Sequence, residues 1–412
     1  METFRRLSLP AEITISGIAS TFLLAETGAL YACGDNEYGQ LGFGNRRDRS
    51  TLTRVPLEES VKMVVTSSFF TYVLMVSGDL YACGGNSYGQ LGLGDHRERL
   101  ALQRVQMEES VRTIVTGNKA TYVLTVNGAL YACGRNSYGQ LGLGDDSSRS
   151  TLTRVPFNES VKTVVTDGIS TYVLTVSGVL YACGNNEYGQ LGLGDSRNRW
   201  TLTRVPLAEI VATIKANNSS VLVLTVGGEL YACGFNRSGQ LGLGDNLNRS
   251  TLTRVPLDDN AKMIVTTHGA AFVLTRSGAL YVCGDNRSGR LGLEDGKYRS
   301  ALTRVPLIES VKMVAIGSDY TYVITVDGAL YACGDNRSGQ LALGDSQSRL
   351  GLMRVPLEEN AETIRTSNNS TFVTAASGVL YTCGFNGFGQ LGLGDDSNRS
   401  LLTPIPYLDL VV

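Results

Sequence analysis

The chain is poor in the residues from which most active sites are built. It has two histidines, His96 and His268, and one tryptophan, Trp200, among 412 residues. The histidines stand far apart in the chain, so a His-rich metal site cannot be assembled from them, and no metal is expected. No apolar run approaches the roughly eighteen residues that a membrane-spanning helix needs, so no membrane insertion is expected. Charge of one sign is also missing. There are 36 basic and 38 acidic residues and a formal net charge of −2. A nucleic-acid partner would call for a basic excess or a basic stripe, and neither is present. The opening segment METFRRLSLP has basic residues without an apolar stretch behind them, so no secretory leader is expected. The last residues carry no lipidation box. No stretch of useful length keeps a helical hydrophobic period.

What the chain has is repetition. Residues 128–145 read GALYACGRNSYGQLGLGD and residues 178–195 read GVLYACGNNEYGQLGLGD. The same string begins at Gly28, Gly78, Gly128, Gly178, Gly228, Gly278, Gly328 and Gly378, eight times at a spacing of 50 residues. A second string, TLTRVPL or a variant of it, follows each core. The eight cysteines, from Cys33 to Cys383, keep the same period. One thiol at the same place in each unit does not make a disulfide framework, because equivalent atoms of neighbouring units lie too far apart to bridge. They read as buried, reduced thiols packing as small hydrophobes, which points to a reducing compartment.

Each unit reads as four strands. In the third unit these are Val111 to Val115, Thr121 to Val126, Ala129 to Cys133 and Leu152 to Val155, with Asn127-Gly128 as a hairpin turn. Proline beside the last strand suits a sheet edge. Four short strands every fifty residues predict an all-β fold: a closed β-propeller of four-stranded blades, eight blades by the motif count, with seven as the alternative. The whole of 1–412 is then one propeller domain. A solenoid would need distinct polar caps, whereas both ends here resemble pieces of the repeat: FRRLSL at 4–9 and LTPIPY at 402–407 both look like LTRVPL. The two ends are therefore expected to meet on one blade.

The long loop between the third and fourth strands, Gly134 to Ser150 in the third unit, recurs with the same glycines and reads as scaffold. Asn136 and Gln140 are placed to bond the loop backbone, Leu141 and Leu143 to tuck inward, and Asp145 to pair with Arg149. Paired carboxylates such as Glu58-Glu59, Glu108-Glu109 and Glu358-Glu359 read as a solvated rim. No Gly-x-Ser-x-Gly elbow and no phosphate loop opening a helix occurs. No catalytic residue and no cofactor is expected.

The string Gly-x-Leu-Tyr-x-Cys-Gly-x-Asn-x-x-Gly-Gln-Leu-Gly-Leu-Gly-Asp resembles the repeat of the regulator of chromosome condensation family, and the resemblance covers essentially the whole chain. It implies a propeller that acts through one face of the ring. Family members include the exchange factor for the small GTPase Ran, trafficking and ubiquitin-ligase components, bacterial effectors delivered into host cells, a plant photoreceptor and a β-lactamase inhibitor. This sequence departs from the pattern in several places. The founding members have seven blades. The tryptophan-like position of the third strand holds Cys, as at Cys133. The histidine that often precedes the second strand is replaced, for example by Phe70, Ala120 and Tyr320. The protruding wedge and basic tail of the Ran exchange factor are missing, and one tryptophan is too few for the photoreceptor.

Positions that differ between units are the candidates for recognition. The link before the second strand supplies Phe69, Phe70, Lys119, His268 and Tyr320, with Phe69, Phe70 and Tyr320 expected as exposed aromatics on one face near the axis. The long loop supplies Tyr38, Tyr88, Tyr138, Tyr188 and Phe388 as an aromatic arc. Arg237, Arg287 and Arg337 form a basic arc over units five to seven. The expected function is a non-catalytic protein-binding scaffold, monomeric and cytoplasmic, nuclear or delivered into a host cell. By family resemblance its partner is a small GTPase or a regulator of one. The alternatives are nucleotide exchange on a Ran-like GTPase and an inhibitor-type plug for an enzyme.

Overall fold

The computed structural model describes residues 12–15 and 19–406. Every regular element is a β-strand, and the strands form eight separate four-stranded sheets, each in simple sequence order. The chain is an eight-bladed β-propeller. In the third blade the strands are Val111–Thr116, Ala120–Thr125, Leu130–Gly134 and Arg149–Arg154. The fourth strand starts three residues earlier than the sequence pattern suggests, because Arg149 already pairs with Gly134.

The first strand of each blade is the innermost. Side chains and carbonyls fifty residues apart touch there: Ser67 Oγ donates to the Gly117 carbonyl at 3.1 Å and Thr116 Oγ1 to the Thr66 carbonyl at 3.0 Å. The second strand is buried at all six positions in the third blade and does not alternate. That is the pattern of a strand whose sheet is covered on both faces. The covers are the neighbouring blades. Phe70, Tyr72, Leu74 and Leu80 of blade two pack with Val111, Ile114 and Val123 of blade three in one cluster. The hydrophobic core is thus a set of layers between blades, and the repeat cannot be stable as a single unit. The fourth strand is an edge, short and half-exposed.

Eight blades close the ring. Gly94 N donates to the Ser150 carbonyl at 2.8 Å between blades two and three, and Gly394 N donates to the Ser50 carbonyl at 2.8 Å between blades eight and one. Thr51 bridges to Leu393 just as Thr151 bridges to Leu93. The expectation that the two ends meet on one blade needs the FRRLSL segment at 4–9, which is not among the described residues. Arg399–Pro404 completes blade eight and Arg49–Arg54 completes blade one, so each blade comes from one continuous stretch.

The long loop is scaffold. Asn136 is fully buried; its Oδ1 accepts from Leu141 N at 2.8 Å and its Nδ2 donates to the Asp145 carbonyl at 2.9 Å. Gln140 Oε1 accepts from Tyr138 N at 3.0 Å. Arg149 pairs with Asp145 at 2.5 Å, and six further blades repeat that pair. Blade one cannot, because Asn45 stands in the acidic position. At the mouth of the loop a glycine is obligatory. Gly184 has φ +102°, and a Cβ there would lie 2.4 Å from the Ile169 carbonyl oxygen.

Candidate protein-binding face

One backbone bond per blade fixes which loops share a face. Gly85 N donates to the Phe69 carbonyl at 2.8 Å, Arg135 N to the Lys119 carbonyl at 2.8 Å and Phe235 N to the Ser219 carbonyl at 2.9 Å, and the other five blades do the same. The link before the second strand and the start of the long loop therefore lie side by side. The two sets of variable residues fall on one surface.

Across blade boundaries the sets also meet. The Tyr38 ring of blade one sits edge-on to Phe69 of blade two, centroids 5.2 Å apart. Lys119 of blade three holds its ammonium 4.7 Å from the ring centre of Tyr88 in blade two. Arg135 lies between Tyr88 and Tyr138, at 5.7 and 5.5 Å. Tyr188 packs edge-on against Phe235 of blade five at 5.0 Å, and within blade eight Phe388 packs against Phe385 at 6.0 Å. Tyr38, Tyr88, Tyr138, Tyr188, Phe69 and Lys119 are half-buried, while Phe388 is exposed. Rings held in this way keep one edge to solvent and lose little freedom on binding. His268 is exposed, with Nε2 3.4 Å from Asn218 Nδ2 in the preceding blade.

Two expected aromatics are not on the surface. Phe70 and Tyr320 are both 0 % exposed. Each is the first residue of a second strand, and that strand's faces are covered by the adjoining blades. Phe70 packs edge-on to Tyr72. The Tyr320 hydroxyl crosses into blade eight and donates to the Ser370 carbonyl at 2.8 Å. Both are wedges between blades.

The basic arc is also corrected. Arg287 pairs with Asp285 at 2.9 Å and Arg337 with Asp335 at 2.7 Å. Arg237 has Phe235 at the place of those carboxylates and is exposed. The arc is a mixed-charge surface. Its anchor is Arg290, which replaces the loop glutamine of the other blades. It is 2 % exposed and bonds Asp285 at 3.0 Å and Asp319 of the next blade at 3.2 Å. Between blades four and five, Asp167 takes a similar position and accepts from Ser170 N at 2.7 Å and Ser219 N at 3.0 Å. Burial raises its pKa and those backbone bonds pull against the rise.

Sequence reasoning passed over Arg135, Phe235, Asp285, Asp335 and Phe385. All occupy the variable residue between the motif glycine and asparagine, and its variation among units was the signal that marks them. Among the described residues no group of three or more His, Cys, Asp or Glu side chains gathers into a metal-binding cluster, and no helix is long and apolar enough to cross a membrane.

Residues 16–271 match the model of the RCC1-like domain, and residues 311–340 and 377–408 each match the regulator of chromosome condensation (RCC1) repeat. No curated protein matches the chain in sequence. Among solved structures, human WBSCR16 is similar at a TM-score of 0.64 and 20% identity, over 80% of this chain and 94% of that one. Yeast RCC1 (Prp20), solved with Kap60 bound, is similar at a TM-score of 0.62 and 20% identity, over 81% of this chain and 84% of that one. Prp20p from Saccharomyces cerevisiae, described with its binding properties to Gsp1p and histones, is similar at 0.64 and 18% identity, over 87% and 91%. These likenesses establish a common fold.

Proposed function

Because the chain belongs to the regulator of chromosome condensation (RCC1) family, its RCC1-like match spanning 16–271, we propose that it is a protein-binding propeller whose partner docks on the face that carries the long loops. The observation that carries this reading is the convergence of the two variable sets there. Scaffold positions repeat in every blade, yet the blade boundaries differ: Tyr38–Phe69 and Tyr188–Phe235 are ring pairs, whereas Tyr88–Lys119 sets a cation on a ring. A ring with such a graded rim recognises an asymmetric partner through aromatic anchors and a polar surround.

The partner class we favour is a small GTPase or a regulator of one. Support comes from the family and from the described relative that binds Gsp1p. The protein acts as a monomeric scaffold in this reading. Nucleotide exchange requires an element that enters the GTPase, and the described blades keep one length without a protruding insertion.

The test uses the purified chain and a panel of small GTPases loaded with a fluorescent nucleotide. Binding is read by anisotropy and exchange by nucleotide release. Binding without accelerated release, weakened about tenfold by combined Tyr38→Ala, Phe69→Ala and Lys119→Ala changes, is the expected outcome. Accelerated release makes the chain an exchange factor. Absence of binding to every member of the panel sinks the GTPase assignment.

A further inference from the structure

The opposite face is made of the hairpins and of the links that lead into each first strand, and it has its own chemistry. In blades two to eight the ladder between the first and second strands skips one residue. Val61 and Met63 pair with successive residues of the second strand, as do Val161 and Thr163, and Val311 and Met313. A bulge of this kind leaves its extra residue unpaired and re-aims the side chain. The skipped residues are Lys62, Arg112, Lys162, Lys262 and Lys312, with Ala212 in blade five and Glu362 in blade eight. In blade one the strand Glu12–Ile15 pairs one residue out of step and has no bulge.

These bulges ring the axis. Arg112 Nη2 reaches the carbonyls of Val161 at 3.0 Å and Lys162 at 2.6 Å, and Lys312 Nζ reaches the Glu362 carbonyl at 3.4 Å. Arg112 and Lys312 thus extend to the equivalent position of the next blade, fifty residues on. The four lysines are exposed and Arg112 is half-exposed. None of the five makes an ion pair among the described residues.

Apolar side chains surround them. Val76, Val126, Val176, Val226 and Val326 are between 60 and 69% exposed. Each sits beside the bulge of its blade, held by a backbone bond such as Val126 N to the Ser110 carbonyl at 2.9 Å. Carboxylates are drawn the other way. The hydroxyls of Tyr131, Tyr231 and Tyr381, on third strands, donate to Glu109, Glu209 and Glu359. Of the seven bulges, five therefore carry a cation at the axis, with valines beside most of them, and Glu362 of blade eight is the exception in sign.

We propose that this axial mouth binds an acidic peptide segment of a partner protein, one that alternates Asp or Glu with aliphatic side chains. The cations supply the long-range attraction and the valines supply contacts that only a peptide can use. A polyphosphate would find the same cations, but it has no use for the valines. This inference concerns a different face from the loop surface and stands or falls separately from it.

The test is fluorescence anisotropy with a labelled peptide of about twelve residues, Glu-rich with interspersed Val, at about 0.1 M salt. Saturable binding is expected, weakening as salt rises. The triple change Lys62→Gln, Arg112→Gln and Lys162→Gln should reduce affinity about tenfold or more. Val126→Ser with Val176→Ser should also reduce it, whereas Tyr38→Ala with Phe69→Ala should leave it unchanged. Thermal midpoints confirm that each variant folds; if the triple does not, single Lys62→Gln and Lys162→Gln variants give the same comparison. Three outcomes overturn the proposal: no saturable binding of the peptide, binding indifferent to the cation changes, or tighter binding of inorganic polyphosphate that ignores the valine changes.

Discussion

The Cys83 thiol donates to the carbonyl of Gln40, 3.4 Å away across the boundary between the first two blades. Cys233 does the same to Gln190 at 3.3 Å, and Cys33 to Gln390 at 3.5 Å where the ring closes. The bond joins a third strand to the long loop of the preceding blade. A small side chain is needed because the loop backbone comes so close. A Cβ on Gly42 would lie 3.5 Å from the Cys83 sulfur. The cysteine is thus part of the packing between blades, and this is why it keeps the period of the repeat.

That environment fixes the chemistry of the thiols. All eight are free and buried. Burial pushes the Cys183 thiol up to about 12. At pH 8 a thiol reagent should find no fast-reacting cysteine in the native protein and all eight after denaturation, read by absorbance of the released thiolate. The same shift has a consequence for stability. A raised folded pKa keeps its contribution below the unfolded thiol value of about 8.5 and loses it as pH rises further, because only the unfolded chain then ionises. The thermal midpoint should fall between about pH 8.5 and 10, and less steeply in a Cys183→Ala, Cys233→Ala variant. Rapid native labelling refutes this packing.

Blade six breaks the loop pattern at a place where the backbone notices. Glu294 stands where other blades have glycine, at φ +64°, a left-handed conformation that costs an L side chain about 1 kcal/mol. In the preceding blade Gly244 holds φ +89° with open space around its Cβ position. Glu294→Gly should therefore stabilise the protein by up to about 1 kcal/mol, offset in part by the greater freedom of glycine in the unfolded chain. A denaturation midpoint unchanged or lowered counts against the strain.

The architecture was legible because the repeat carries it. The hairpin glycines, the apolar second strands and the buried Asn136 each follow from spacing and residue type. Burial of Phe70 beside half-exposed Phe69 was not legible. The two are adjacent, and which one enters the sheet depends on where the strand begins, a matter of pairing with Gly84. Arg287 looked like a free cation because its partner Asp285 is two residues away in a loop without regular period. The bulge that exposes Lys162 leaves no mark in a single unit. Only the ladder to the second strand shows that Val161 and Thr163 are neighbours in register.

Asn136 tests the loop as scaffold. It is 0 % exposed, and its amide satisfies Leu141 N at 2.8 Å and the carbonyls of Asp145 at 2.9 Å and Ser147 at 3.1 Å. Asn136→Ala removes these bonds and leaves buried backbone groups unpaired. The loss should be about 2 to 4 kcal/mol, seen as a lower denaturation midpoint. Asn136→Asp keeps the acceptor but turns an oxygen onto the Asp145 and Ser147 carbonyls, and should cost at least as much as alanine. A loss under about 0.5 kcal/mol in the alanine variant would make the loop an ornament and return its residues to the list of binding candidates.

Arg290 joins blades six and seven through charge. Its guanidinium is buried, donates to the carbonyls of Asp285 at 2.9 Å and Ser318 at 2.8 Å, and pairs with the carboxylates of Asp285 and Asp319. Burial pushes the Asp285 carboxyl up, but hydrogen bonds from Arg287 and the charges of Arg290 and Arg287 more than offset it, so its pKa lies below the ordinary range. A depressed folded pKa contributes stability above the unfolded value of about 3.9 and loses it as pH falls through the folded value. Arg290→Ala leaves Asp285 with only the exposed Arg287, and should cost about 3 kcal/mol near neutral pH. Its Asp285 also protonates more readily, so the acid fall in thermal midpoint should begin at a higher pH than in the unchanged protein. Arg290→Gln restores the arrangement of blade seven, where Gln340 Nε2 donates to Asp335 at 2.8 Å, and should recover most of the loss. Acid profiles that superimpose for all three proteins would show that the pair carries no net charge coupling across the blade boundary.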